Sequence, residues 1–449
     1  METPENERLQ QLLVEDRARA LEEIRDLPIP EIAVLIRSLA IEDAAELVKQ
    51  LPIEISVEVF DEPTLRRRRE LVEHLDTNLV AAIAERMSPD ERADFFGNLD
   101  QHKRAHLLRH LSKETQAELL QLLAYPPASA GGLMTTEFVE VHPDQTVEEA
   151  LAHIRVVARE VETVYVVYAT DRATEKLMGA LSLRDLLTAE NKKTIQEIMN
   201  PDTIAVHTDT DQEEVARLIA LYNFLAVPVV DSAHRILGIV TVDDVIDVLS
   251  DEQTEDLQKI SGIEPLEQPY FRVRIFPMVR KRASWLVGIF LGELFTGTAL
   301  RHYQGLLEAA VILSLFIPLI LSSGGNSGSQ SATLVVRGLA TGEIKLRQWL
   351  RVLRRELFVG GLLGLILGSV GFVRAMTWKG TPLSVGIAVG LTLVAVVTVG
   401  TLVGAMLPIV FKRIGFDPAV SSTPFIATLV DVTGLVIYFN IAGKVLRLF

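Results

Sequence analysis

The 449-residue sequence contains no cysteine, which excludes disulfides, thiolate metal sites and cysteine nucleophiles. Its first ten residues, Met1 to Gln10, carry no apolar run of the kind a secretory signal needs, so the chain is expected to start in the cytoplasm. Basic residues are short in one region and acidic residues in the other. Residues 1–282 hold 31 Lys/Arg against 53 Asp/Glu, a net charge of −22, whereas residues 283–449 hold 13 against 6, a net of +7. An acidic soluble part argues against nucleic-acid binding, which needs a basic soluble face. Nucleophile–base pairs, Walker-type P-loops and metal-hydrolase spacings are also missing, so no enzymatic activity is expected.

What is present explains a mean hydropathy of +0.27 beside a 23% charged content. Residues 309–336 and 380–411 are charge-free and each long enough to cross a bilayer, and 357–373 is a shorter such run. Residues 283–300 are interrupted only by Glu293, and 418–443 only by Asp431. Five spanning helices follow, at about 282–303, 306–336, 351–376, 383–411 and 418–447, the second long enough that Pro318 or Ser322–Asn326 is expected to break it. With the N-terminus inside, eleven Lys/Arg flank the spans on the inner side against five outside, which predicts a cytoplasmic N-terminus and an external C-terminus.

Asp431 lies 14 residues after Asp417 and 13 before Lys444, near mid-membrane. A carboxylate there needs water, a cation or a partner. Since no Lys or Arg lies at matching depth in another span, a cation site in a pore is favoured over a structural tie. Glu293 and Glu308 read at least as well as structural groups. The small polar run Ser322 to Thr333 suits either close helix packing or a hydrated path.

Residues 134–249 contain an internal repeat. Met134-Thr-Thr136 matches Met199-Asn-Pro201, Asp144–Ala150 matches Asp209–Val215, and Leu177–Asp185 matches Ile236–Asp244. Each copy reads strand, helix, strand, strand, helix, with a glycine expected in the last turn. At these residues the repeat resembles a tandem CBS pair, or Bateman module, a family whose members often bind adenine nucleotides. That resemblance puts Ser182, Arg184, Asp185, Thr241 and Asp244 at a ribose-binding position. The plain alternative is that Ser182 and Thr241 only cap helices.

Seven carboxylates and no Lys or Arg fall between Asp243 and Asp256. On a helix, Asp244, Asp247, Asp251 and Glu255 share one face and repel one another, so the segment is a candidate for docking on basic loops or collecting a divalent cation. Residues 1–127 are helix-like, with a leucine every 24 residues from Leu27 to Leu123, a period that fits a superhelix of short helices. Ser88–Glu91 reads as a capping box. The acidic turn Asp90, Glu91, Asp94 suits either the helix dipole or a divalent ion. Tyr125-Pro-Pro127 marks a boundary.

Taken together, Ala130-Gly-Gly-Leu-Met134, Thr208–Leu218, Gly324-Gly-Asn-Ser-Gly328, Gln330–Thr333, Gly404–Pro408, Asp417-Pro-Ala419 and Ala427–Leu435 resemble the MgtE family of magnesium channels and transporters over essentially the whole length. The resemblance implies a helical N domain (1–128), CBS units at 129–195 and 196–250, an acidic connecting "plug" helix (251–278) and a five-helix transmembrane domain (279–449). It implies a homodimer in the cell membrane with Asp431 as pore carboxylate, aided by Ala427, and with Asn326 and Thr423 along the ion path. Sensor positions matching in type are Glu58, Asp90, Asp94, Asp211, Glu213, Asp244, Asp247, Glu252, Glu255, Asp256 and Asp417, through which cytoplasmic Mg²⁺ would close the gate. ATP or another adenine nucleotide is the implied regulatory ligand. Ser329 and Thr423 stand where the family pattern has Asn, and Asn223 where it has a carboxylate. The competing readings are a broader Co²⁺, Ni²⁺ or Mn²⁺ transporter and a membrane-anchored nucleotide sensor without transport.

Overall fold

A computed structural model describes residues 4–65, 67–266, 270 and 273–447. It divides into two units, residues 1–251 and 252–449.

The first unit opens with short helices that recur every twelve residues. Helices start after Pro28, Ala40, Pro52, Asp76, Ser88, Asp100 and Ser112. The leucines spaced by 24 sit at helix ends, with Leu39, Met87 and Leu111 at the intervening ones, so the repeat unit is one helix and one turn. Each helix turns one or two apolar rows inward. Phe60, Phe95 and Phe96 form the centre in edge-to-face pairs with centroids 6.1 and 5.4 Å apart. The capping box expected at Ser88–Glu91 is not made. Ser88 gives no side-chain cap, and Glu91 instead pairs with the buried Arg68 at 2.5 Å. An ion pair at a buried guanidinium outweighs a local cap.

The repeat folds as two three-stranded sheets. In each, the first strand pairs parallel with the second and the second antiparallel with the third: β1 (Phe138–Val141), β2 (Thr163–Thr170) and β3 (Leu177–Ser182), then β4 (Val206–His207), β5 (Ala226–Val230) and β6 (Ile236–Thr241). The Met-containing lead-in of each copy crosses to the other sheet. Thr135 pairs with Ile239 on β6, and Asn200 with Ala180 on β3. That crossing explains Gly179 and Gly238, which lie inside β3 and β6 and not in the turns as expected. A Cβ on Gly179 would fall 2.8 Å from the Asn200 carbonyl oxygen, and one on Gly238 2.4 Å from that of Thr135. The turns themselves use Glu175 and His234 at φ 56° and 63°.

Helix α1 (Val242–Ile260) leaves β6 directly. The acidic helix is therefore the extended last helix of the second repeat, and it ends at Ile260, well inside the 251–278 expected for the plug. A Schellman end causes the stop: Gly262 takes φ +72°, its N–H reaches the Lys259 carbonyl, and the Ile263 N–H reaches that of Gln258. Positions 267–269 and 271–272 of the expected plug lie outside the described residues.

The second unit has five helices long and apolar enough to span a membrane among the described residues. They are α2 (Ile275–His302), α3 (Ile317–Ala340), α4 (Trp349–Met376), α5 (Leu383–Arg413) and α6 (Thr423–Val445). The long second span does break, but before Pro318 and not at Ser322–Asn326. Ala310 leaves helical geometry at φ −141°, ψ 70°, a 3₁₀ turn covers Val311–Phe316, and Pro318 fits the first turn of α3, where its missing N–H is harmless. Ser322–Asn326 then lies inside an unbroken helix.

Small residues bring these helices together. A Cβ on Gly404 of α5 would lie 2.0 Å from the Gly328 carbonyl oxygen of α3, and one on Gly400 2.5 Å from that of Gly324. The glycine row of α4, from Gly360 to Gly371, meets α5 in the same way, so α5 is the most enclosed span. Helix α2 is the least enclosed and packs on α6, Gly292 against Thr428.

Candidate functional site

Helix α6 begins with the hydroxyl of Ser422 accepting from the Phe425 N–H at 3.4 Å, and Pro424 follows in the first turn. Two turns on, Asp431 is half-buried against α3. The Cβ position of Gly325 lies 3.3 Å from Ala427 Cβ and 3.9 Å from Asp431 Oδ1. The small residue on α3 thus opens room where Asp431 and Ala427 face it. Asn326, the next residue, is exposed and donates to the Ser322 hydroxyl at 3.3 Å. Of the other carboxylates in or beside the spans, Glu308 accepts from Gln304 at 2.8 Å and Glu356 from the Ser331 hydroxyl at 2.6 Å, as structural groups would, while Glu293 stays exposed beside the α2–α6 contact.

Two of the three departures from the family pattern, Ser329 and Thr423, touch. The Ser329 hydroxyl donates to the Thr423 carbonyl at 3.3 Å, tying α3 to the start of α6. The Thr423 hydroxyl in turn donates to the Ile260 carbonyl at 3.3 Å, satisfying one of the carbonyls left open at the end of α1. Beside it, the Lys259 ammonium donates to Asp417 Oδ2 at 2.6 Å and also pairs with Glu255. The last turn of the acidic helix is thus joined to the segment that starts the Asp431 helix. Burial and the nearby Asp417 raise the Asp256 carboxyl above its usual value, against the pull of Lys259. Lys259 itself is pushed up: burial opposes its charge, but the bonds to Asp417 and Glu255 outweigh that.

A second acidic cluster lies in the first unit. Asp90, Glu91 and Asp94 start one helix, Asp61 ends another, and Asp243 and Asp244 start α1. Glu137 and Glu162 come side by side because parallel pairing of β1 and β2 joins the Glu162 N–H to the Glu137 carbonyl at 3.0 Å. Burial drives these carboxyls up, with mutual repulsion adding: Asp61, Glu137 and Glu162 to about 7, Glu91 and Asp244 to about 8. Asp90 is raised for the same reason and feels Asp243. Arg68 partly offsets this, bonded to Glu91 and 3.5 Å from Asp94.

Asp90, Asp94 and Asp244 belong to this cluster; Glu255, Asp256 and Asp417 surround Lys259. Glu58 and Glu213 are exposed, as is Asp247 one turn beyond Asp244, and Glu252 precedes Glu255 on α1. Asp211 caps the helix Gln212–Tyr222 by accepting from the Glu213 N–H at 2.9 Å. Asn223, where a carboxylate was expected, ends that helix at φ 53°, a left-handed position that suits Asn. Asp61, Glu91, Glu137, Glu162 and Asp243 were not among the candidates. Glu91 and Asp243 lay in acidic runs already visible, whereas only tertiary pairing brings Asp61, Glu137 and Glu162 in. Among the described residues, no three Asp, Glu or His side chains converge as a ready first shell for a bare ion.

At the nucleotide candidates, Ser182 and Asp185 form a reciprocal capping box: the Ser182 N–H and hydroxyl reach Asp185 Oδ2 at 2.9 and 2.6 Å. Asp185 and Arg184 remain exposed. The Thr241 hydroxyl donates to Asp244 at 2.7 Å, and that Asp faces the acidic cluster.

Five spanning helices, a carboxylate at mid-span and paired CBS-type sheets carrying an acidic helix define a membrane transporter of divalent cations. Comparison with known families agrees: residues 317–441 match the MgtE divalent cation transporter model, 27–128 the MgtE intracellular N domain, and 130–192 and 195–251 the CBS domain. The magnesium transporter MgtE of Thermus thermophilus is 45% identical over 337 residues, covering 75% of this chain and 74% of that protein. Its counterpart from Enterococcus faecalis is 38% identical, covering 75% and 73%. The chain belongs to the MgtE family of magnesium transporters. Among solved structures, the cytosolic domain of the Mg²⁺ channel MgtE in complex with ATP is similar at a TM-score of 0.51 and 39% identity, covering 54% of this chain and 98% of that one.

Proposed function

We propose that the protein is a Mg²⁺-selective channel for uptake, closed by Mg²⁺ on its cytoplasmic side. The observation that carries this is the direct attachment of the end of the acidic helix, at Ile260, to the start of the helix bearing Asp431. At low internal Mg²⁺ the carboxylates within each cluster repel one another and the acidic helix loosens. At high Mg²⁺ the ion neutralises them and favours the docked state. This is differential binding to two conformations. The sensor positions are Glu58, Asp90, Asp94, Asp211, Glu213, Asp244, Asp247, Glu252, Glu255, Asp256 and Asp417, to which Asp61, Glu137 and Glu162 are added.

Asp431 and Ala427 form the ion path on a hydrated Mg²⁺, with Asn326 and Thr423 at its polar side. The working assembly is a homodimer with N-terminus inside and C-terminus outside, built from domains 1–128, 129–195, 196–250, 251–278 and 279–449. Inward flow is driven by the membrane potential, about 4–5 kcal/mol for a divalent ion at 100 mV. ATP or a related nucleotide binds the CBS pair at Ser182, Arg184, Asp185, Thr241 and Asp244; the ATP complex of the similar cytosolic domain supports this. The exposed Asp185 is the better placed of the two carboxylates for a ribose.

Ion entry into proteoliposomes tests the reading. Mg²⁺ is expected to enter through the wild type and not through Asp431→Asn, with Co²⁺, Ni²⁺ and Mn²⁺ much slower. Equal entry of all four would favour a broad divalent carrier. No entry of any, with nucleotide binding intact, would favour a sensor.

A further inference from the structure

The ammonium of Lys259 sits where an inorganic cation would be expected. It bridges Glu255 on its own helix and Asp417 at the start of the pore-helix segment, 158 residues away, and Asp256 lies beside the pair. Asp417 is held rigidly for this contact. Its other oxygen, Oδ1, accepts the Ala419 N–H at 2.8 Å, and Pro418 fixes the turn that follows. Lys259 is equally constrained, being in the last turn of α1 immediately before the Schellman end, with its carbonyl used by Gly262. Three of the carboxylates assigned above to Mg²⁺ sensing thus already have a cation among them, covalently attached.

From this geometry we propose that Lys259 is a tethered competitor of Mg²⁺ at the Glu255–Asp417 junction and sets the concentration at which internal Mg²⁺ closes the channel. The inference rests on the gating reading given above. A divalent ion reaching Glu255 and Asp417 has to displace the ammonium, which then returns to water. The apparent affinity is weakened by the equilibrium constant of the internal ion pairs. The ammonium is held to a fixed local concentration by its own helix, so its competition does not vary with cell salt as a free monovalent ion's would. It also keeps a cluster of like charges from dispersing the helix end entirely when Mg²⁺ is low. The ammonium carries one charge and Mg²⁺ two, so exchange leaves the junction with an extra positive charge. This is how the two occupants can favour different conformations.

The test is a titration of Mg²⁺ on the soluble-domain face of proteoliposomes, reading the half-closing concentration for wild type, Lys259→Met, Lys259→Gln and Lys259→Arg. Competition predicts that Met and Gln each lower the midpoint by about three- to tenfold, a tenfold shift corresponding to about 1.4 kcal/mol. Arg, which keeps the charge, should stay close to wild type. A simple structural latch predicts the reverse, a raised midpoint or a channel that no longer closes, and either result overturns the proposal, as does an unchanged midpoint in both neutral variants. If wild type conducts Mg²⁺ but internal Mg²⁺ never closes it, the gating reading fails together with this inference. If wild type closes normally and only the shift is missing, this inference alone fails.

Discussion

Arg68 and Asp431 show how one side chain can decide a region. Arg68 is almost fully buried and is the cation bonded to Glu91 in a cluster of raised carboxylates. Removing one partner of a buried pair leaves an uncompensated charge, so Arg68→Ala is expected to destabilise the soluble part by about 3 kcal/mol. Differential scanning calorimetry in chelator should register the loss, and added Mg²⁺ should restore part of it. Asp431 behaves differently. No Lys or Arg lies at matching depth in another span, so Asp431→Asn should keep the fold by circular dichroism while removing ion entry. Asp431 stood out in the sequence because it is the one acidic residue in an otherwise uncharged run, 418–443. Arg68 was not, because a single Arg in an Arg-rich run, residues 66–69, gives no sign of which side chain turns inward.

At the level of elements, most of the helices and strands follow from periodicity, and the differences have local causes. The five spans were readable from missing charge. The second was misread at its break because proline was taken as the breaker, whereas Pro318 fits a helix start. The acidic helix was readable as acidic, but its start in β6 and its end at Gly262 depend on a strand junction and a left-handed turn. Glycine packing makes a sharp prediction. Gly404→Leu would drive a side chain into the Gly328 backbone of α3, a contact with no flexible end to move aside, and is expected to abolish folded protein in detergent. Gly288→Leu, where nothing lies within 4 Å, should leave yield and elution unchanged in size-exclusion chromatography. Gly262→Ala should cost about 1 kcal/mol through its left-handed backbone.

For the whole molecule, the acidic cluster couples stability to pH and to Mg²⁺. Asp61, Glu91, Glu137, Glu162 and Asp244 have folded-state values of about 7 to 8, above the unfolded range near 4. The folded state therefore binds more protons, and its stability is fully present below about pH 4 and lost as pH rises through 7 to 8. In chelator, the thermal midpoint of the soluble part is expected to fall between pH 6 and pH 8, by roughly 2–4 °C per kcal/mol lost. Millimolar Mg²⁺ should flatten that slope, since the ion replaces the protons. A midpoint that rises over the same interval would mean the carboxylates are ionised and satisfied without a cation. Composition did foretell a strongly acidic soluble part, but the sequence could not tell which of its 53 carboxylates converge, because β1–β2 pairing and the crossing lead-ins are long-range events.

The central claim is that the end of the acidic helix governs the start of the pore helix, and the chain's lack of cysteine permits a direct test. Gly262→Cys and Ser422→Cys place two thiols close together at this junction, since a Cβ on Gly262 falls 3.5 Å from the Ser422 hydroxyl oxygen. A short bifunctional thiol reagent would join them in proteoliposomes freed of Mg²⁺ on the soluble-domain face, and Mg²⁺ entry would be followed before and after. The account predicts that the joined protein stays closed without internal Mg²⁺, while either single variant treated alike conducts. Undiminished entry through the joined protein would contradict it.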